Sequence, residues 1–181
     1  PRRQKLCLYY LTQLGDNEKE DKLREAFIKT AAAETFLAWH YYKNKNGNGK
    51  DLDEQLKEGQ IPEEFLRSMY YTYGDYRDIC LGTDISVKQG DVLTANQKIE
   101  KILPKNGTPP VPPQTSVTTP QTWWETNAND IWEGMLCALS YNTETKNMNQ
   151  GMRKNLTDNN KYTKISSKLE DFASRPQFFR W

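Results

Sequence analysis

The sequence is short of the side chains on which most enzymes depend. Its 181 residues hold one histidine, His40, and three well-separated cysteines, Cys7, Cys80 and Cys137. A histidine base needs a nucleophile beside it and an orienting partner behind it, and no zinc-like ligand spacing exists. Flanked by Trp39 and Tyr41 on a helical stretch, His40 reads as a structural or surface histidine. The Gly47-Asn48-Gly49-Lys50 stretch is not a phosphate loop: Asn44 stands where the earlier glycine is required, and Asp51 follows the lysine in place of Ser or Thr. No enzyme activity, cofactor or metal is expected.

Long apolar runs are missing as well. Nothing approaches the roughly 18 to 20 residues of a membrane span, and no signal peptide is visible, so direct membrane insertion is not expected and any export signal or anchor is expected outside this segment. Neither sign of charge dominates, with 25 Lys and Arg against 24 Asp and Glu and a net charge of +1. No overall field therefore draws the chain to nucleic acid, and exposed aromatics interleaved with arginine are not evident. No segment alternates apolar and polar residues for long enough to read as a strand. The remaining fold class is all-α, a helical bundle with long polar inter-helix loops, and 36% apolar residues suit one core.

The clearest helix follows Pro62, with Glu63 and Glu64 at the positive end of its dipole and Gly82 placed for a left-handed cap. Phe65, Met69, Tyr73, Tyr76 and Cys80 recur along it at helical spacing and form one apolar stripe. That stripe is expected to pack on Phe36, Leu37, Trp132 and Met135, with the hydroxyls of Tyr73 and Tyr76 hydrogen-bonded or reaching the surface. A longer helix is expected from about Glu18 to Asn46, with Leu23, Phe27, Ala31, Glu34, Leu37, Ala38 and Tyr41 three or four apart, and two turns are expected over Asp51 to Glu58. Another helix, with a capping opportunity at Asp84 to Ser86, carries Val92, Ala95, Ile99, Ile102 and Leu103, and a widely buried one covers Trp123 to Tyr141. Gly134 within the latter suggests close helix packing. The proline-rich residues 104–122 and the polar residues 142–164 read as loops, 165–172 as a short helix, and Arg175-Pro176 as the start of another.

Five stretches carry a resemblance: Arg2-Arg3-Gln4-Lys5-Leu6-Cys7, Thr30 to Phe36, Phe65 to Ile85, Ile131 to Leu139, and Arg175-Pro176-Gln177-Phe178-Phe179-Arg180-Trp181. In this order they resemble the Duffy-binding-like domains of the variant adhesins of malaria parasites, and they span nearly the whole chain. The resemblance implies an adhesin at the extracellular face of the infected erythrocyte. It also implies a division into the end of a first subdomain (1–15), a second helical subdomain (16–174) and the start of a third (175–181). In that family the cysteine after the Arg-Arg-Gln motif pairs upstream, which leaves Cys7 without a partner in this chain and Cys80 and Cys137 for each other.

Polar residues supply the remaining expectations. Glu34 interrupts the apolar stripe of the long helix and Asp78 follows Arg77 on the helix after Pro62, so one or both are expected to be buried and paired with arginine, Arg67 or Arg77 being nearest. Asn106 and Asn155 begin glycosylation triplets. Lysines cluster at 43, 45 and 50, at 98, 101 and 105, and at 161, 164 and 168. The contact surface is expected at Lys161, Tyr162 and Lys164, where a tyrosine stands among lysines. The resemblance implies a host cell-surface or serum protein as partner, with intercellular adhesion molecule or the Fc part of immunoglobulin M as candidates, or a sulfated glycosaminoglycan. The alternative is a structural spacer with an antigenic surface and no ligand of its own.

Overall fold

The computed structural model describes residues 6–84, 88–104 and 118–180. Eight α-helices lie among them: α1 Tyr9–Thr12, α2 Glu20–Asn46, α3 Gly49–Lys57, α4 Glu63–Leu81, α5 Gly90–Ile102, α6 Pro120–Leu139, α7 Gln150–Asn160 and α8 Tyr162–Ser174. A two-stranded antiparallel hairpin, β1 Tyr141–Asn142 with β2 Asn147–Met148, joins α6 to α7, and a 3-10 turn, Gln177–Arg180, closes the chain. The fold is an all-α bundle.

Helix ends follow local chemistry. Glu20 and Asp21 open α2 and Lys43 and Lys45 close it, matching the helix dipole, and Gly47 ends it in the left-handed region at φ 69°. Gly82 ends α4 in the same way at φ 68°. Thr119 and Thr122 form a reciprocal capping box at the start of α6, with Pro120 in the first turn, where its missing N–H costs nothing. The proline-rich stretch thus gives way to helix at Pro120, three residues earlier than expected; residues 105–117, with the Asn106 triplet, lie outside the described residues.

The bundle is built around α4, whose Phe65, Met69, Tyr73, Tyr76 and Cys80 are all buried. Trp132 and Met135 of α6 are buried with them, as expected. Tyr73 Oη donates to Glu170 and accepts from Trp124 Nε1 at 3.1 Å, while Tyr76 Oη donates to the carbonyls of Cys7 (2.8 Å) and Thr30 (3.3 Å). Burial above all pushes both phenols well above their ordinary pKa, so they stay neutral donors.

Helices α2 and α6 form the other main interface. Phe27 sits 5.3 Å from the Trp123 ring and 5.9 Å from that of Trp124. A Cβ on Gly134 would stand 2.8 Å from Ile28 Cγ2, so the glycine permits the close approach anticipated there. The buried line of α2 differs from the expected one in its second half. Leu37 is 58% exposed and Tyr41 71%, and the line runs instead through Thr30, Thr35 and Trp39. The two threonines enter the core because their hydroxyls donate to the carbonyls four residues back, Ala26 (2.6 Å) and Ala31 (2.8 Å).

Residues 142–164 are not a loop. They hold all but the first residue of the hairpin, all of α7 and the first turn of α8. Leu156 is the buried residue of α7, so no apolar period announces the helix. Its attachment is polar: Asn155 Nδ2 donates to the carbonyl of Lys57 (2.8 Å), Asn159 Nδ2 to those of Glu58 and Gly59 (both 3.3 Å), and Asn160 Nδ2 to that of Gly59 (3.1 Å). These amides satisfy the carbonyls left open at the end of α3. Gly59, at φ 78°, allows the contact, since a Cβ there would lie 2.5 Å from the Asn155 carbonyl oxygen.

Candidate functional site

The three lysine groups differ in how far they are neutralised. In the first, Lys43 donates to both carboxylate oxygens of Asp53 (2.9 and 3.3 Å). In the second, Lys98 and Lys101 share Asp16 (3.0 and 2.8 Å), whose hydrogen bonds from Lys101 and Lys98 hold its carboxyl down at about 2. Lys105 lies outside the described residues. In the third, no carboxylate pairs with Lys161, Lys164 or Lys168 among the described residues, and all three are exposed.

The α7–α8 corner sets this third group in place. Lys161 is the single non-helical residue between the helices (φ −49°, ψ 139°), which breaks the chain direction between α7 and α8. Lys164 Nζ caps α7 by donating to the carbonyl of Asp158 (2.7 Å). Tyr162 is half-buried, and its hydroxyl donates to Glu170 Oε1 (2.9 Å). Burial and then Glu170 push that hydroxyl up to about 12. Tyr162 is therefore an anchor of the corner rather than an exposed contact, while Lys161 and Lys164 lie at the surface as expected. Over residues 150–168 the basic residues are Arg153, Lys154, Lys161, Lys164 and Lys168, and the acidic one is Asp158. That local charge of +4 contrasts with +1 for the whole chain. Asp158 is spoken for by Lys154 (3.0 Å), whose hydrogen bond lowers its pKa, with Lys161 and Lys164 adding to the effect.

A second surface feature was not foreseen. A cleft of about 250 Å³ opens between α2, α3, the end of α6 and the hairpin, lined among others by Phe36, His40, Asp53, Tyr141 and Glu144. The His40 ring lies against Phe36 at 4.4 Å, tilted by 59°, and Phe36 meets the Tyr141 ring edge-on at 5.8 Å. Burial and then Lys43 hold the imidazole below its ordinary pKa of 6.5, against an opposing pull from Asp53. The histidine was visible in the sequence, but the ring opposite belongs to a hairpin that no strand signal marked.

The remaining polar expectations are met in altered form. Asp78 is buried and paired with arginine, but the arginine is Arg180, neither Arg67 nor Arg77. Arg180 Nη1 donates to Asp78 Oδ2 (2.7 Å) and Nη2 to Oδ1 (3.2 Å), with the two side chains 3% and 5% exposed. The guanidinium also donates to the carbonyls of Arg175 (3.0 Å) and Ala173, and it lies against Gly74, where a Cβ would stand 3.0 Å from Nη1. Sequence proximity misled because the partner arrives 102 residues later, on the closing turn. Glu34 is half-buried and accepts the N–H of Cys7 (3.0 Å). Arg77 stands 3.7 Å from Glu170.

All three cysteines are free thiols, so the expected Cys80–Cys137 disulfide is not present. Cys80 Sγ lies 3.9 Å from the carbonyl of Pro120 at the start of α6, whereas Cys137 sits near the other end of that helix. Seventeen helical residues span about 25 Å, far beyond the roughly 7 Å between Cα atoms that a disulfide tolerates. Burial pushes the Cys80 thiol up to about 12, which makes it inert.

Among the described residues no group of His, Cys, Asp and Glu suits a metal ion, and no helix is long and apolar enough to cross a membrane. No curated protein and no solved structure matches the chain. The Duffy binding domain family matches residues 1–180. With an all-α bundle beneath a match of that length, the chain belongs to the Duffy binding domain family.

Proposed function

We propose that the chain is an adhesion segment that holds an acidic host cell-surface or serum protein on the basic outer face of α7 and α8, with Lys161 and Lys164 at its centre and Lys168 beside them. Domains of this family are extracellular receptor-binding adhesion modules rather than enzymes. The observation that carries the reading is the contrast among lysine groups: a carboxylate pairs with Lys43 in the first and another with Lys98 and Lys101 in the second, and none pairs with the α7–α8 group among the described residues. Such a patch steers an oppositely charged partner and sets its register. Intercellular adhesion molecule and the Fc part of immunoglobulin M are the proposed candidates, with display at the infected erythrocyte surface. A sulfated glycosaminoglycan would use the same lysines. The division at residues 15 and 175 into parts of three subdomains remains our reading of the organisation.

The test is a binding screen of the intact domain against both candidate proteins and immobilised heparin, at low and at high salt. A protein ligand is expected, with affinity falling as salt rises because exposed charges are screened over about 10 Å at 0.1 M. The Lys161→Glu, Lys164→Glu double variant should lose at least tenfold, about 1.4 kcal/mol, with the unfolding midpoint lowered by no more than loss of the Lys164 cap on Asp158 accounts for, about 1 kcal/mol of stability. Binding to heparin alone would favour the glycosaminoglycan reading. No binding to any surface would leave the structural spacer.

A further inference from the structure

We propose that the cleft between α2, α3 and the β1–β2 hairpin receives one neutral, polar-tipped aromatic side chain, of the tyrosine type, from a protein partner. The inference rests on the reading of the chain as a receptor-binding module, but it concerns a different surface. The cleft adjoins the beginning of α7, whose eleven residues span about 16 Å before Lys161 is reached.

Size limits the occupant. About 250 Å³ falls below the roughly 300–1,000 Å³ of pockets that enclose whole small molecules, and it suits the insertion of a single side chain. The walls then choose its chemistry. Phe36, tilted against His40 and edge-on to Tyr141, presents aromatic surface that is only half-buried, and the Tyr141 ring is itself exposed. Another ring would extend this cluster in the offset or edge-on geometry that aromatic pairs prefer.

Polar groups narrow it further. No hydrogen bond to the His40 ring is formed among the described residues, so the neutral imidazole offers one N–H and one bare nitrogen to whatever enters. A phenol hydroxyl, both donor and acceptor, answers either. Lys43 is committed to Asp53, and Lys57 to Glu54 at 2.5 Å. The cationic groups at the cleft are thus already neutralised, which favours a neutral occupant over an anionic one. Tyrosine is also among the side chains that most often dominate binding energy when seated in a pocket.

The experiment uses the whole chain and N-acetyl-tyrosinamide as probe, followed by the NMR signals of the His40 and Tyr141 rings. A saturable shift of both is expected, with a dissociation constant on the order of 1–10 mM, within what so small a probe can reach. N-acetyl-phenylalaninamide should bind at least threefold more weakly, and N-acetyl-alaninamide and methyl glucoside should leave both rings unmoved. His40→Phe, which keeps an aromatic ring in the wall, should abolish the preference for tyrosinamide over phenylalaninamide. Lys161→Glu with Lys164→Glu should change none of this, which separates failure here from failure of the basic face. Absence of a saturable shift in the wild-type chain, an equal response to the glucoside, or an undiminished tyrosine preference in His40→Phe would each overturn the proposal.

Discussion

The seam where α2, α4 and α6 meet and the corner made by α7 and α8 are both helical, yet they are held by different forces. In the seam, Phe27, Tyr73, Tyr76, Trp123, Trp124 and Trp132 are fully buried, and each ring removes enough apolar surface from water to contribute about 1.5–3 kcal/mol or more. At the corner, α7 buries one leucine and is pinned by asparagine amides on the end of α3, by Tyr162 on Glu170 and by Lys164 on its own last turn. Apolar burial fixes the seam against change. Hydrogen bonds are individually worth about 1 kcal/mol and leave the outer face of the corner free to vary in charge. The family motifs on α2, α4 and α6 fall in the first region and the proposed contact in the second.

The comparison is broken most directly at its two extremes. Trp132→Ala should cost about 3–5 kcal/mol in urea unfolding, as large aromatic deletions from a core do. Asp78→Ala should cost a similar 3–5 kcal/mol, because it strands the buried Arg180 guanidinium without its carboxylate. Gly134→Ala should cost about 1–3 kcal/mol through the collision with Ile28, against the usual helix preference for alanine. Asn160→Ala, which removes donors to the carbonyls of Gly59 and Leu156, should cost only about 1 kcal/mol. A loss as large as that of Trp132→Ala would show that the corner is as rigidly specified as the seam.

These differences also decide what could be read in advance. Helix α4 was legible because both its ends and its stripe are written in residue types that obey one period. In α2 the stripe was legible only as far as Ala31. Beyond it the buried positions are Trp39 and Thr35, whose hydroxyl is satisfied inside the helix, and polarity alone made Leu37 look like the better core residue. Helix α7 was illegible since asparagines that bond another helix's carbonyls look the same in sequence as asparagines in a loop. Arg180 and Asp78, and likewise Tyr141 and Phe36, meet only through the fold. At the proposed contact the lysines were readable as surface charge, whereas the inward turn of Tyr162 depends on Glu170, eight residues away on the same helix.

A smaller effect sharpens the comparison through pH. The folded chain holds His40 below its ordinary 6.5, so just below that pH the unfolded chain binds more protons. The associated stability is present above pH 6.5 and is lost as pH falls through the folded value. In a thermal titration the wild-type midpoint should decline over that window, and His40→Phe should flatten the decline. An identical profile in the variant would remove His40 from the balance.

The central claim is that the buried motifs form a scaffold and the α7–α8 face makes the contact. Its most direct test is a paired measurement on the intact domain, with affinity for an identified host protein and thermal midpoint read for two variants. Lys161→Glu with Lys164→Glu should lose at least tenfold in affinity while costing only about 1 kcal/mol of stability, the Lys164 cap on Asp158, whereas Met135→Ala, placed in the seam, should lower the midpoint much further yet bind normally when assayed below it. If the lysine variant bound normally, or the methionine variant bound poorly while still folded, the assignment of scaffold and contact would be contradicted.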